Sequence, residues 1–245
     1  MPRKIRCVTF DCYGTLIDWQ AGTASSLLTI PVLKGDRDLV KTLVAGREEI
    51  EKGLIVSAPA LPAQDSPEET FEAPEYRPYR EILAESIRTA ARELGVEIAV
   101  EDAQRAAATM PAWSPFPDTR NALREIRKMC KVAILSNVEE EVIAETVKTL
   151  GVPFDLVVTA ERVESYKPAP DHWYAAMHEL EADEEELFHL AASPFHDLET
   201  ATLLGIPCGY VNRSGYPIGP EARPLFEVPD LAGAAARLRS DVLRR

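Results

Sequence analysis

No apolar run in the 245 residues approaches the roughly 20 positions a helix needs to cross a bilayer, so no helical membrane span is expected. Cysteine is scarce: Cys7, Cys12, Cys130 and Cys208 stand singly, with no CxxC pair. That usage argues against a disulfide framework and fits buried thiols in a reducing compartment. Cations are in deficit. Lys and Arg number 27 against 40 Asp and Glu, a formal charge of −13, which disfavours nucleic acid and anionic membranes as partners. A small anionic substrate then needs a local exception, a pocket where Arg or Lys collects. The start, Met1-Pro2-Arg3-Lys4-Ile5-Arg6, is basic but has no long apolar core, so no signal peptide is expected, and the expected location is the cytoplasm. Internal repeats and low-complexity tracts are missing. His172, His178 and His189 fall at no metal-ligand spacing.

What the chain does have is a core's worth of apolar residues, 46% of the total, in a length that suits one α/β domain or a core with a smaller insertion. Short apolar runs at Cys7–Phe10, Val132–Leu135, Asp155–Val158, Leu187–Ala192 and Cys208–Val211 read as buried strands. Helical patterns lie between and after them, at 119–129, 139–150, 171–180, 198–203 and 231–243. Strand–helix alternation implies a parallel sheet covered on both faces, and ligands in such sheets sit beyond the carboxyl ends of the strands. From about Trp19 to Trp113 the alternation stops. That stretch shows helical patterns, clearest at 39–54 and 79–94, around a Pro-, Ala- and Glu-rich loop over 56–80 long enough for a lid. The predicted organisation is a core of residues 1–18 and 114–245 with a helical insertion of residues 19–113.

The first strand runs into Val8-Thr9-Phe10-Asp11-Cys12-Tyr13-Gly14-Thr15. An Asp just past a buried parallel strand stands in the ligand crevice, Gly14 lets the chain turn away, and the Thr15 hydroxyl can bond a carboxylate or an anion. The same Asp also fits an ordinary strand-end turn. Three more groups follow in strand-end positions: Ser136-Asn137 after 132–135, Lys167 in Tyr166-Lys167-Pro168, and Asp197 in Ala192-Ser193-Pro194-Phe195-His196-Asp197. Taken singly, each has a plain reading as a cap or a solvated charge.

In this order, the four pieces resemble the motifs of the haloacid dehalogenase superfamily, whose leading Asp is a nucleophile. The resemblance spans nearly the whole chain. It implies a Rossmann-like α/β core with an inserted helical cap domain and a catalytic set of Asp11, Lys167, Asp197, Thr15 and Ser136. A carboxylate nucleophile needs a cation beside it to stay ionised, which suits Lys167. Ser136, Asn137 and Thr15 would donate to an anionic substrate or an ester oxyanion, and Asp197 would handle the hydrolytic water.

Most members of that superfamily are magnesium-dependent phosphatases with a second Asp two positions after the first, where this chain has Tyr13. A free phenol, with a pKa of about 10, is a poor general acid for that task. The position expected to bring an acidic magnesium ligand, four before Asp197, holds Ser193. Asp-x-Tyr-Gly-Thr instead resembles the first motif of the L-2-haloacid dehalogenase branch. That likeness implies an ester between Asp11 and substrate C2, no metal or other cofactor, and Arg47 as a halide-binding cap residue. Arg47 equally fits an i,i+4 surface pair with Glu51, with Arg77 and Arg80 as substitutes for the halide role. Tyr13, Asn137, Trp173 and Ser193 are the expected substrate contacts. Trp173 stands where the branch usually has Tyr, and Ala192 and Pro194 stand where it often has Ser and Asn. His196 reads as a packing residue more readily than a contact. Trp113 and Phe116 are candidates for an apolar pocket wall. Three functions follow: a metal-independent 2-haloacid hydrolase, a magnesium-dependent phosphatase of a small ester, and a non-catalytic binding relative. A homodimer is left open.

Overall fold

In the computed structural model, which describes residues 4–55 and 76–243, five of the six strands fall on the short, mostly apolar runs. β1 (Cys7–Phe10), β2 (Lys131–Ser136), β3 (Leu156–Thr159), β4 (Leu187–Ala191), β5 (Cys208–Val211) and the two-residue β6 (Glu227–Val228) make one sheet in the order β3-β2-β1-β4-β5-β6. Every neighbouring pair is parallel. Alternate residues face opposite layers. Val8, Phe10, Val132, Ile134, Phe188 and Leu190 pack with Leu123, Ile126 and Leu231 on one side. Cys7, Ala133, Leu135, Leu187 and Ala191 pack with Trp173, Ala176 and Leu198 on the other.

Between β1 and β2 the chain forms α1 (Trp19–Leu27), α2 (Arg37–Ile55), α3 (Tyr79–Glu93) and α4 (Val100–Ala107). The expected helices at 39–54 and 79–94 correspond to α2 and α3. Of the loop expected over 56–80, residues 56–75 lie outside those described, 76–78 are irregular, and Tyr79 and Arg80 already belong to α3. The chain leaves and re-enters the sheet layer side by side: Asp18 N donates to Ser114 O (3.0 Å) and Phe116 N to Leu16 O (3.1 Å).

Of the helices covering the sheet, α5 (Thr119–Arg127) and α10 (Leu231–Arg237) lie together on the first face, and α8 (Asp171–Leu180) lies on the second. α6 (Glu140–Leu150) ends at Gly151, whose left-handed φ of 63° closes the helix. α7 (Ala160–Val163) is a single turn after β3, and α9 (Glu199–Leu203) follows a wide helical turn at Pro194–Leu198. Chain order reverses across β1: β2 lies on one side and β4 on the other. The residue after β1 therefore stands at the topological switch point, where open α/β sheets bind their ligands.

The sequence pattern does not announce α1, α4, α7 or β6. The last three are short, and α1 (WQAGTASSL) has no apolar periodicity. The small residues of α1 serve close packing: a Cβ on Gly22 would lie 2.3 Å from Trp113 Cγ. Gly22→Ala should therefore cost about 1–3 kcal/mol through overpacking, measured by urea unfolding. An unchanged midpoint would show that the Trp113 ring gives way freely.

Candidate active site

Asp11 follows β1 directly and is 8% exposed. Its Oδ2 accepts from Thr15 Oγ1 at 2.7 Å and its Oδ1 from Lys167 Nζ at 2.9 Å. Thr15 is fixed in turn, because its Oγ1 accepts from Ala192 N at 2.8 Å. The first loop and the end of β4 are thereby tied to one carboxylate.

Lys167 is 1% exposed, and all three of its ammonium hydrogens have acceptors: Asp11 Oδ1 at 2.9 Å, Asp197 Oδ1 at 2.7 Å and Leu135 O at 2.9 Å. The Asn137 side chain clamps the Lys167 backbone, donating to its carbonyl (3.0 Å) and accepting from its N–H (2.8 Å). Asp197 Oδ1 also contacts His189 Nε2 at 3.1 Å, and His189 Nδ1 lies 2.8 Å from Thr9 Oγ1.

The two carboxylates differ electrostatically. Burial raises the pKa of Asp11; Lys167 offsets part of that, and Asp197 adds to it. Burial also works against the charge on Asp197, but Lys167 and His189 hold its carboxyl well below the usual range. Burial opposes the Lys167 charge too, and the two carboxylates overcome it and raise its pKa.

These groups open into a cavity of about 340 Å³, also lined by Tyr13, Arg47, Glu51, Ser136, Ser193 and His196, with Trp19, Tyr79 and Trp113 as its aromatic walls. Arg47 is 2% exposed and lies 4.5 Å from the Trp19 ring centroid. It pairs with Glu51, which also accepts from Tyr79 Oη at 2.6 Å. The i,i+4 pair thus exists, but it is buried in the cavity wall and not on the surface. Arg77 and Arg80 bind Glu85 and Glu139 instead and do not line the cavity.

Other expectations need correction. Trp173 is fully buried edge-on against His189 and is not among the lining residues, because α8 carries it into the layer beneath the sheet. Asn137 lines the cavity, but its amide is committed to Lys167. Phe116 stacks under Arg213, at 3.9 Å, rather than walling the pocket. Sequence reasoning missed Glu51, Tyr79 and His189. A signal for Glu51 exists: with Arg47 it continues the buried stripe Val40, Leu43, Val44 on α2.

The donor set does not suit magnesium. An ammonium already bridges Asp11 and Asp197, and the Tyr13 hydroxyl is bound to Thr146 Oγ1 at 2.7 Å. Ser193 Oγ is engaged with His196. Among the described residues no cluster of three or more His, Cys, Asp or Glu is arranged to hold a metal. The four cysteines are free, and burial pushes the Cys7 thiol up to about 12.

The family model for haloacid dehalogenase-like hydrolases matches residues 5–201. Haloacetate dehalogenase H-2 of Moraxella sp. (strain B) is 24% identical over 231 residues, covering 93% of this chain and 95% of the relative. The structure of an L-2-haloacid dehalogenase superposes with a TM-score of 0.80 at 21% identity, covering 97% of this chain and 100% of the other. That of the Xanthobacter autotrophicus L-2-haloacid dehalogenase with chloropropionic acid covalently bound gives 0.76 at 21% identity, covering 97% and 99%. At such identities the structures establish a shared fold.

The ion cluster predicts a pH-dependent stability. Asp197, with its folded pKa depressed, contributes stability above the ordinary carboxylate value of about 3.9 and loses it as pH falls through the folded value. Lys167, with its pKa raised, contributes below about 10.4 and loses it as pH rises through the folded value. Asp11 acts oppositely: its raised pKa makes ionisation costly at neutral pH, and acid relieves that cost. Lys167→Ala should cost about 3–5 kcal/mol near pH 7, where it leaves buried carboxylates uncompensated. The loss should shrink toward about pH 4, the ordinary carboxylate range, in urea unfolding. A loss equal at all pH values would mean that Lys167 acts through packing alone.

Proposed function

Because the chain belongs to the haloacid dehalogenase-like hydrolases, we propose that it hydrolyses small 2-haloacids through an ester on Asp11, without a metal. The observation that carries this reading is the Lys167 ammonium shared between Asp11 and Asp197. It keeps a carboxylate nucleophile ionised inside a buried site and occupies the space between the two acids. The Moraxella relative is named for haloacetate, and the Xanthobacter structure holds its acid covalently.

The chemistry follows from the side chains. An Asp11 oxygen attacks C2, the C–O bond forms as the carbon–halogen bond breaks, and halide departs. A halide is a very weak base and needs no general acid, which matches a Tyr13 phenol that burial makes harder still to ionise. Thr15 and Lys167 hold the carboxylate in place. Arg47 receives the halide with the guanidinium hydrogens that Glu51 does not use; its Nε has no partner among the described residues. Ser136, buried at the end of β2, and Ser193 contact the substrate. Water then cleaves the ester at the Asp11 carbonyl.

In this reading residues 1–18 and 114–245 form the catalytic core and residues 19–113 a cap that supplies Arg47 and closes over the crevice. The partner is a small anionic substrate, received by local cations despite the charge of −13, and the location is the cytoplasm. Among the described residues no helix is long and apolar enough to cross a membrane.

Asp11→Asn should lower halide release from 2-haloacids by about 10⁴-fold or more, the scale seen when a nucleophile is removed. A single turnover in ¹⁸O-water should label Asp11, and wild-type activity should survive EDTA. Label found only in the product would rule out the ester. Activity confined to phosphate esters with added magnesium would replace this reading with a phosphatase.

A further inference from the structure

Two adjacent residues on the turn after β4 carry buried polar atoms with no partner among the described residues: His196 Nε2 and Asp197 Oδ2. Both residues line the cavity that contains Asp11. The turn is built to hold the ring. His196 N donates to Ser193 Oγ at 3.0 Å, His196 Nδ1 lies 3.0 Å from the same oxygen, and Phe195 packs edge-on at 4.9 Å. With Nδ1–H donating to Ser193 Oγ, Nε2 presents its lone pair. The charged groups acting on the ring are Asp197 from its own turn, Glu51 from α2, Lys167, and Asp11 after β1.

From this geometry we propose that His196 is the general base for ester hydrolysis, with the water held between Nε2 and Asp197 Oδ2. This rests on the ester reading above. A bound water needs two to four polar partners, and these two atoms provide them where Ala192 and Pro194 offer no side-chain donor. The other candidates are occupied. Asp197 is held ionised by Lys167 and His189 and is a weak base, Lys167 has donated every hydrogen, and Tyr13 is bound to Thr146. Burial lowers the His196 pKa, which favours the neutral ring that a base needs.

The step balances. Water oxygen bonds to Asp11 Cγ and passes a proton to Nε2, giving a tetrahedral oxyanion beside Lys167. Collapse breaks the bond from Cγ to the substrate oxygen, which takes the proton from Nε2 and leaves as the 2-hydroxy acid. The regenerated Asp11 carboxyl releases its proton to solvent, so one proton accompanies each halide.

The test is a rapid-quench reaction with racemic 2-chloropropionate, following chloride and intact-protein mass. His196→Gln should release one chloride per site in a burst and accumulate the Asp11 ester. Ester breakdown should slow by about 10²–10⁴-fold, the usual contribution of a general base, and lose the acid limb that wild type shows. Ser193→Ala, which frees the His196 ring, should slow breakdown to a smaller degree. Wild-type breakdown in either folded variant, or slowed chloride release with no ester in His196→Gln, overturns the proposal. A wild-type enzyme that releases no halide from any 2-haloacid overturns the ester reading itself.

Discussion

One ammonium group sets the arrangement of the crevice. Lys167 Nζ reaches Asp11 after β1, the Leu135 carbonyl in β2 and Asp197 beyond β4. Those three acceptors come together only if β2, β1 and β4 are neighbours in register, as the sheet makes them. Burying three charges is costly, and the cost is offset only when every donor and acceptor is well placed. Asn137 secures the Lys167 backbone, and Thr15 takes the second oxygen of Asp11. Apolar residues of similar size could fill the same volume, so stability alone does not account for the cluster.

The helices between β1 and β2 repeat the pattern on a smaller scale. Arg47 and Glu51 interrupt an apolar stripe of α2 with opposite charges, and the Tyr79 hydroxyl donates to the second oxygen of Glu51. Arg47 is therefore a cation whose field is partly cancelled before any substrate arrives. A halide, small and weakly basic, asks less of such a group than a phosphate would. Against a net charge of −13, Arg47, Lys52 and Lys167 collect around one cavity, the local exception that the proposed anionic substrate needs.

How much of this is legible in sequence depends on the kind of signal. Strands buried on both faces read as unbroken apolar runs, so β1 to β5 stand out while the two-residue β6 does not. α1 is hidden because small residues packing against Trp113 leave no periodic stripe. Asp11, Lys167 and Asp197 are visible through strand-end placement and motif order, and the structure brings them together. Trp173 misleads because spacing from Lys167 does not tell which face of α8 meets the sheet. His189 escapes notice because a polar residue inside an apolar strand is legible only when its partners are known; here they are Thr9 and Asp197, on a neighbouring strand and on the turn beyond β4.

The two carboxylates also show how one cation can serve opposite ends. Asp197 shares Lys167 with Asp11 but has His189 as a second donor, so its charge is secured. Asp11 has the neutral Thr15 hydroxyl beside Lys167, and burial leaves it the more basic of the pair. A more basic carboxylate is the better nucleophile, provided it stays ionised, and a permanently ionised neighbour holds the ammonium between them in its charged form. Environments that push two like groups apart assign them different work. In the proposed ester route Asp11 makes and breaks the covalent bond, while Asp197 fixes the cation and leaves one oxygen free for water.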